Sequence, residues 1–309
     1  MLSIDVIALF APGQGSQTPG MFAPWLDFPG ARDRLEGWSK VAGLDLVTLG
    51  TTAGAEEITD TAVTQPLVVA AALLAYSEIS QEVLPADTIV AGHSVGELAA
   101  AAVAGVITPD EAVMLASIRG AEMAKACALE PTGMSAVLGG DEAAVLARLD
   151  ELDLVPANRN AAGQIVAAGR LDALAELAAN PPASARIRAL PVAGAFHTAF
   201  MGPAQDAVTN AINRITPGEP TRTLLSNYDG QPVGSGKDAI DKLAAQVTRP
   251  VRWDLCTETV RAAGVSVVAE LPPAGALVGI AKRELKGTRI LALKTPENIP
   301  ALSDLVATG

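Results

Sequence analysis

The chain has 309 residues and a net charge of −12, and it is 50% apolar, 18% charged and only 3% aromatic. That length bounds one large α/β domain, or one carrying a smaller companion, with enough apolar surface for a substantial core. The acidic balance excludes nucleic acid as the main partner, because phosphate binding needs clustered Lys and Arg. The longest weakly charged stretch, near 61–77, is interrupted by Gln65 and Pro66, so no membrane span is expected.

The N-terminal MLSIDVIALFAPG has no basic region and no cleavage pattern, so a cytoplasmic protein is the expectation. Residues 4–11 form an apolar run ended by PGQGSQ, a buried strand feeding a loop. Thr64-Gln65-Pro66 opens a long apolar helix to about Tyr76, with Pro66 in the tolerant first turn. Residues 87–91 are the next buried strand, and GELAAAAVAGV after it is helical, ending near Gly105. Thr108-Pro109-Asp110-Glu111 is a capping box with proline at its first helical position.

Residues 134–193 change character. A strand (MSAVLGG), a helix (DEAAVLARLDEL), a hairpin pair (LVPANRN and GQIVAAG), a helix (LDALAELAA) and a strand (ARIRALPVA) follow in the order βαββαβ. That is the ferredoxin-like unit, and its place inside the chain makes it an inserted lobe. Beyond it, 203–215 reads as helix, 223–228 as extended and 237–247 as helix. WDLCTETVRAAG (helix), VSVVAEL (strand), GALVGIAKREL (helix), TRILALK (strand) and a helical tail complete the chain. Strands alternating with helices predict a mainly parallel sheet covered on both faces. Cys127 and Cys256 share no CxxC or metal-type spacing, so free buried thiols are expected and a metal site is not.

Gly92-His93-Ser94-Val95-Gly96 matches G-x-S-x-G. A strand that turns abruptly into a helix crowds the residues two either side of its apex, and glycine relieves that crowding. The apex side chain then projects from the carboxyl edge of the sheet, where open α/β folds hold ligands. The N–H of Val95 at the helix start can donate to a developing oxyanion. A serine nucleophile needs a base, and the chain has two histidines. His93 adjoins the serine and should leave the apex in another direction, with a structural use. His197 remains, where the inserted lobe rejoins the main domain. A third member of the triad is not readable from the sequence: a carboxylate or a backbone carbonyl would serve.

Arg119 lies among apolar neighbours in the capped helix. It either pairs with Glu122 three residues on, or clamps a substrate carboxylate. PGQGS has neither the Lys-Ser/Thr of a P-loop nor the spacing of GxGxxG, so no ATP or dinucleotide site is expected.

APGQGSQ (11–17), TQP (64–66), GHSVGE (92–97), RG followed by Met123, NRNAAGQIVAAG (158–169), AFHTAFM (195–201) and QVTRPVRW (246–253) occur in this order along nearly the whole chain. Together they resemble the malonyl-CoA:acyl carrier protein transacylases of fatty-acid synthesis. The resemblance implies an α/β-hydrolase-like domain (1–131 and 195–309) with a ferredoxin-like insert (132–194). It implies Ser94 as acyl-accepting nucleophile, His197 as base, and the Gln246 backbone carbonyl as the group that orients the base. It further implies Gln14 and Val95 N–H groups as the oxyanion hole, Arg119 as the grip on the malonyl carboxylate, and Phe196, Asn158 and Asn160 around the pocket. Malonyl-CoA and an acyl carrier protein are the implied partners, and no cofactor is expected because the CoA thioester is a substrate. Two places depart from the family pattern. LPPAGALVG (271–279) stands where a Gly-Pro-Gly turn is usual, and Arg249 stands where asparagine is usual.

A serine esterase or thioesterase uses the same Ser94–His197 pair with water as acceptor, and a binding protein on this fold would form no adduct on Ser94. An acidic carrier needs a local basic patch on this acidic chain, expected from some of Arg159, Arg170, Arg186, Arg188, Arg222, Arg249 and Arg252.

Overall fold

The computed structural model describes residues 6–79 and 84–307. The first strand, β1 (Ile7–Ala11), is buried at every position. Ile7, Leu9 and Ala11 join one core and Ala8 and Phe10 another, as a central strand covered on both faces requires. Positions 4 and 5 of the strand expected from sequence lie outside the described residues. Helices α1 (Ala31–Ala42) and α2 (Leu46–Thr51) follow, where sequence periodicity assigns no element.

Helix α3 (Thr61–Glu78) corrects the expected helix start. The Asp60 side chain accepts the Ala62 N–H at 2.8 Å and caps the helix four residues before Thr64. Pro66 therefore lies inside the helix, not in its first turn. Its missing N–H is tolerated because packing on all sides holds the segment: residues 64–75 are buried without interruption.

Strand β2 (Ile89–Gly92) leads into α4 (Gly96–Val103), and α5 (Pro109–Cys127) follows. The expected capping box is present: Thr108 Oγ1 accepts the Glu111 N–H at 3.2 Å, and Glu111 Oε2 accepts the Thr108 N–H at 2.7 Å. Next come β3 (Thr132–Gly139), α6 (Glu142–Glu151), β4 (Val155–Ala161), β5 (Gln164–Arg170), α7 (Leu171–Ala179) and β6 (Ala185–Ala189). These four strands form an antiparallel sheet of order β4-β5-β3-β6. Its helices cover one face through a separate core of Val137, Val145, Leu149, Ile165, Leu174 and Leu177. Strand β6 stops short of the expected 193, because Pro191 has no N–H to continue the ladder.

The rest of the chain supplies α8 (Gly202–Ile212), β7 (Thr223–Leu225), α9 (Gly236–Ala245), α10 (Trp253–Ala262), β8 (Val267–Glu270), α11 (Ala276–Glu284), β9 (Arg289–Ala292) and α12 (Ile299–Ala307). The second sheet is parallel throughout, with order β7-β2-β1-β8-β9. Strand β4 is tied to the segment just before α10 through Val251, which donates its N–H to Ala157 at 2.8 Å and accepts from Arg159 at 2.9 Å. Among the described residues no helix is long and apolar enough to cross a membrane, and no cluster of three or more His, Cys, Asp or Glu could hold a metal ion.

Candidate active site

The turn between β2 and α4 is as tight as the glycine spacing predicts. A Cβ on Gly92 would lie 2.1 Å from the Gly96 carbonyl carbon, and one on Gly96 would lie 2.3 Å from the Ala11 carbonyl oxygen. Ser94 at the apex has φ 54°, a left-handed conformation that a non-glycine residue holds only when its surroundings enforce it. Asn227, just beyond β7, supplies part of that enforcement: its Oδ1 accepts the Ser94 N–H and its Nδ2 donates to the Gly92 carbonyl, both at 2.8 Å.

His197 lies between β6 and α8 and also has a positive φ, 60°. Its Nε2 is 2.8 Å from Ser94 Oγ, and its Nδ1 is 2.9 Å from the Gln246 backbone oxygen. A carbonyl can only accept, so Nδ1 carries the proton and Nε2 offers its lone pair to the serine hydroxyl. Burial, with the Arg119 charge behind it, pulls the imidazole down to about 3, so it is neutral through the physiological range. The same Gln246 oxygen also accepts the Arg249 N–H at 3.3 Å. The departure at Arg249 thus leaves the backbone contact in place, and its guanidinium lies 5.0 Å from the Tyr228 ring centroid.

Arg119 resolves the choice left open by its sequence. Glu122 pairs with Lys125, and Arg119 turns into the interior, 3% exposed. Its Nη1 donates to Gln65 Oε1 at 2.6 Å, and its Nη2 to Gln246 Oε1 at 3.0 Å and Ser94 Oγ at 3.3 Å. It forms no ion pair among the described residues, and its Nε–H, also buried, has no partner. Burial lowers the group to about 10, opposed by Glu97, so it remains a cation near neutral pH. A desolvated cation held only by neutral oxygens has the charge and free hydrogen-bonding capacity that an anionic group would match.

These residues face a cleft of about 440 Å³ between the two sheets. Gln14, His93, Ser94 and Arg119 line one side, Met134, Asn158 and Asn160 the other, with Phe196 and His197 at the join. Asn160 Oδ1 is 2.8 Å from His93 Nε2, which gives His93 the structural use expected of it. Gln14 turns its side chain to Thr61 at 3.2 Å. Val95 is buried at the start of α4, and among the described residues neither its N–H nor that of Gln14 has an internal acceptor. Helix α11, after the unusual LPPAGALVG stretch, still presents Ala276, Leu277 and Ile280 to the cleft. The Glu270 carboxylate holds its start by accepting N–H groups of Gly275, Leu277 and Val278 at 2.8–3.1 Å.

Sequence reasoning misses Gln65 as an arginine ligand, Asn227 as a turn clamp, and Glu97 as a buried carboxylate beneath both. Gln65 and Glu97 fall inside motifs already singled out, whereas Asn227 follows a short strand with no local signal. Among the arginines of the expected basic patch, Arg222 is a correction: its guanidinium is buried on the Leu84 and Pro85 carbonyls.

A serine on a strand–helix turn, an imidazole bonded to it and a buried guanidinium beside both have the chemistry that acyl transfer needs. The acyl transferase domain family model matches residues 9–301, and the chain belongs to that family. The malonyl CoA-acyl carrier protein transacylase of Mycobacterium tuberculosis H37Rv is 64% identical over 302 residues, covering 97% of this chain and 100% of the relative. The crystal structure of MCAT from Mycobacterium tuberculosis superposes with a TM-score of 0.94 at 64% identity, covering 96% of this chain and 99% of that one. A complex of a type II PKS acyl-carrier protein with its malonyl-transacylase aligns with a TM-score of 0.90 at 29% identity, over 97% of this chain and 99% of that one.

Proposed function

We propose that the chain transfers a malonyl group from malonyl-CoA to the phosphopantetheine thiol of an acyl carrier protein, through a malonyl ester on Ser94. The observation that carries this reading is the unpaired Arg119 guanidinium 3.3 Å from a serine that is itself 2.8 Å from a neutral imidazole. His197 takes the Ser94 proton as Oγ attacks the thioester carbonyl. The tetrahedral oxyanion rests on the Gln14 and Val95 N–H groups, each such donor typically worth about 10²–10³ in rate. The intermediate collapses, the C–S bond breaks, and the CoA thiolate leaves with the proton held by His197. The carrier thiol then gives its proton to His197 and attacks the ester, and Ser94 recovers its proton. The Gln246 carbonyl keeps the imidazole in the required tautomer throughout.

The substrate carboxylate joins Arg119, while Phe196 and Asn160 shape the cleft around the acyl group. The chemistry calls for no cofactor, and a CoA thioester substrate fits a cytoplasmic setting. We read residues 132–194 as an inserted ferredoxin-like subdomain, a reading supported by the order β4-β5-β3-β6, and residues 1–131 with 195–309 as an α/β-hydrolase-like domain. Brief exposure to malonyl-CoA should raise the intact mass by one malonyl group on Ser94, and added carrier protein should discharge it. Discharge at the same rate by water alone would favour the esterase reading instead.

The carrier's docking surface follows from the edge of the antiparallel sheet. Arg188 pairs in register with Ala136, a cleft-lining residue, so Arg186 and Arg188 share the cleft-facing side of the sheet. Both are exposed and form no ion pair among the described residues. Arg159 and Arg252 are instead engaged by Glu142 and Asp254, and Arg170 by Glu130. The double substitution Arg186→Glu/Arg188→Glu should raise the KM for carrier protein by about 10-fold, more at low salt, and spare the half-reaction with malonyl-CoA.

A further inference from the structure

The chemistry proposed above gives no part to a buried carboxylate directly beneath the serine turn. Glu97, in the first turn of α4, is 4% exposed. Its Oε1 accepts the Asn227 N–H at 2.6 Å, and its Oε2 accepts from Gln246 Nε2. Gln246 Nε2 also donates to the Ser94 carbonyl at 2.9 Å, and its Oε1 accepts from Arg119 at 3.0 Å. The carboxylate and the Ser94 carbonyl together set which way the Gln246 amide faces. With two acceptors around Nε2, the amide oxygen has to point at the guanidinium.

We propose that ionised Glu97 is a positioning residue for substrate selection: by fixing the orientation of the Gln246 side chain, it holds Arg119 where a malonyl carboxylate meets it. The inference rests on the malonyl transfer proposed above. It makes a specific claim about inversion. The Asn227 backbone N–H cannot turn, so any carbonyl-type oxygen at position 97 faces it. A neutral side chain there, whether glutamine or protonated Glu97, then directs a donor at Gln246. That donor repels the Gln246 Nε2: whether the amide reverses against the Ser94 carbonyl or withdraws, its oxygen no longer meets the Arg119 Nη2, and the guanidinium is displaced. His197 is unaffected in this scheme, because it is held by the Gln246 backbone oxygen and not by the side chain.

Low pH should act like the substitution. Burial pushes Glu97 up to about 7, opposed by its bonds to Asn227, Gln246 and Ser226 and by the Arg119 charge. The titratable groups facing it are Arg119 from α5 and Cys256 from α10; from β7 and α9 it meets Ser226 and the apolar Leu224, Leu225, Ala239 and Leu243. Between pH 6 and 8 Arg119 stays charged, while burial holds the Cys256 thiol well above that window and His197 well below it. Proton uptake by Glu97 as pH falls through about 7 is therefore the change expected in this cluster.

The test compares two reactions of Ser94 in the full-length protein: malonylation by malonyl-CoA, and sulfonylation by neutral phenylmethylsulfonyl fluoride, each followed by intact mass. Glu97→Gln should lower the ratio of the malonylation rate to the sulfonylation rate by about 10- to 100-fold, the worth of one charged hydrogen bond inverted in a buried site. The wild-type ratio should fall as pH is lowered from 8 to 6, and the variant's ratio should stay low and flat. Equal loss of both reactions in the variant, or an unchanged ratio, overturns the proposal. Should the variant fail to fold, a wild-type ratio that is constant from pH 8 to 6 overturns it alone, and a falling ratio upholds it. A wild-type protein that is sulfonylated but never malonylated sinks the proposed function itself, and this inference with it.

Discussion

His197→Ala is expected to slow malonylation of Ser94 by about 10²–10⁴-fold, the usual worth of a positioned general base. The structure explains why no neighbour substitutes for it. His93, the only other imidazole in the sequence, is held through Nε2 by Asn160. Glu97 lies beneath the turn with both oxygens already engaged. Alanine at this position keeps its Cβ at positive φ and empties a buried site, so the folded state should lose some stability. Quenched-flow mass measurement of the seryl ester, with circular dichroism as the folding control, checks the expectation. A variant that is malonylated within a few-fold of the wild-type rate would show that another group takes the proton.

Arg119→Ala should cost malonylation about 10²–10³-fold and leave acetylation from acetyl-CoA nearly unchanged. The asymmetry follows from what the guanidinium touches. It has no carboxylate partner among the described residues, so its removal strands two amide oxygens, those of Gln65 and Gln246, and strands a substrate carboxylate only when there is one. An unpaired carboxylate in so buried a place is worth several kcal/mol, whereas a methyl group there is no worse placed than before. A short neutral acyl group in the wild-type protein leaves the cation desolvated and unmatched, which selects against it. The ratio of malonyl to acetyl loading in wild type and variant measures the effect directly, and equal losses for both acyl groups would refute the clamp.

Much of this chemistry is readable from the chain alone because its causes are local. Glycines two residues either side of Ser94 encode a steric necessity, and the clashes that a Cβ would make at Gly92 and Gly96 are that necessity in ångströms. With only two histidines in the chain, one of them adjoining the serine, His197 is left as the base. The capping box at Thr108 and the order βαββαβ are legible for similar reasons, since each is a pattern within a few turns of chain. Other features depend on partners far away in sequence. Asn227 meets Ser94 across 133 positions, and nothing in SNYDG marks it as a clamp. Arg119 reads equally as a surface helix pair until the fold turns its side chain inward. Asp60 rather than Pro66 starts α3 because a side-chain cap outweighs a proline preference when both compete nearby. The pairing of strands into two separate sheets also depends on such distant contacts.

That Val251 junction has a kinetic consequence. The main-chain bonds to Ala157 and Arg159, together with the His93–Asn160 contact and the bond from Arg283 to Gln164, rivet the opposing walls of the cleft to one another. Swinging them apart would break several of these at once, so the opening behaves as a fixed throat and not as a jaw. Two bulky thiols that approach the same serine through such a throat have to take turns, the first departing before the second arrives, and the protein works as a turnstile whose memory of each passage is the ester left behind.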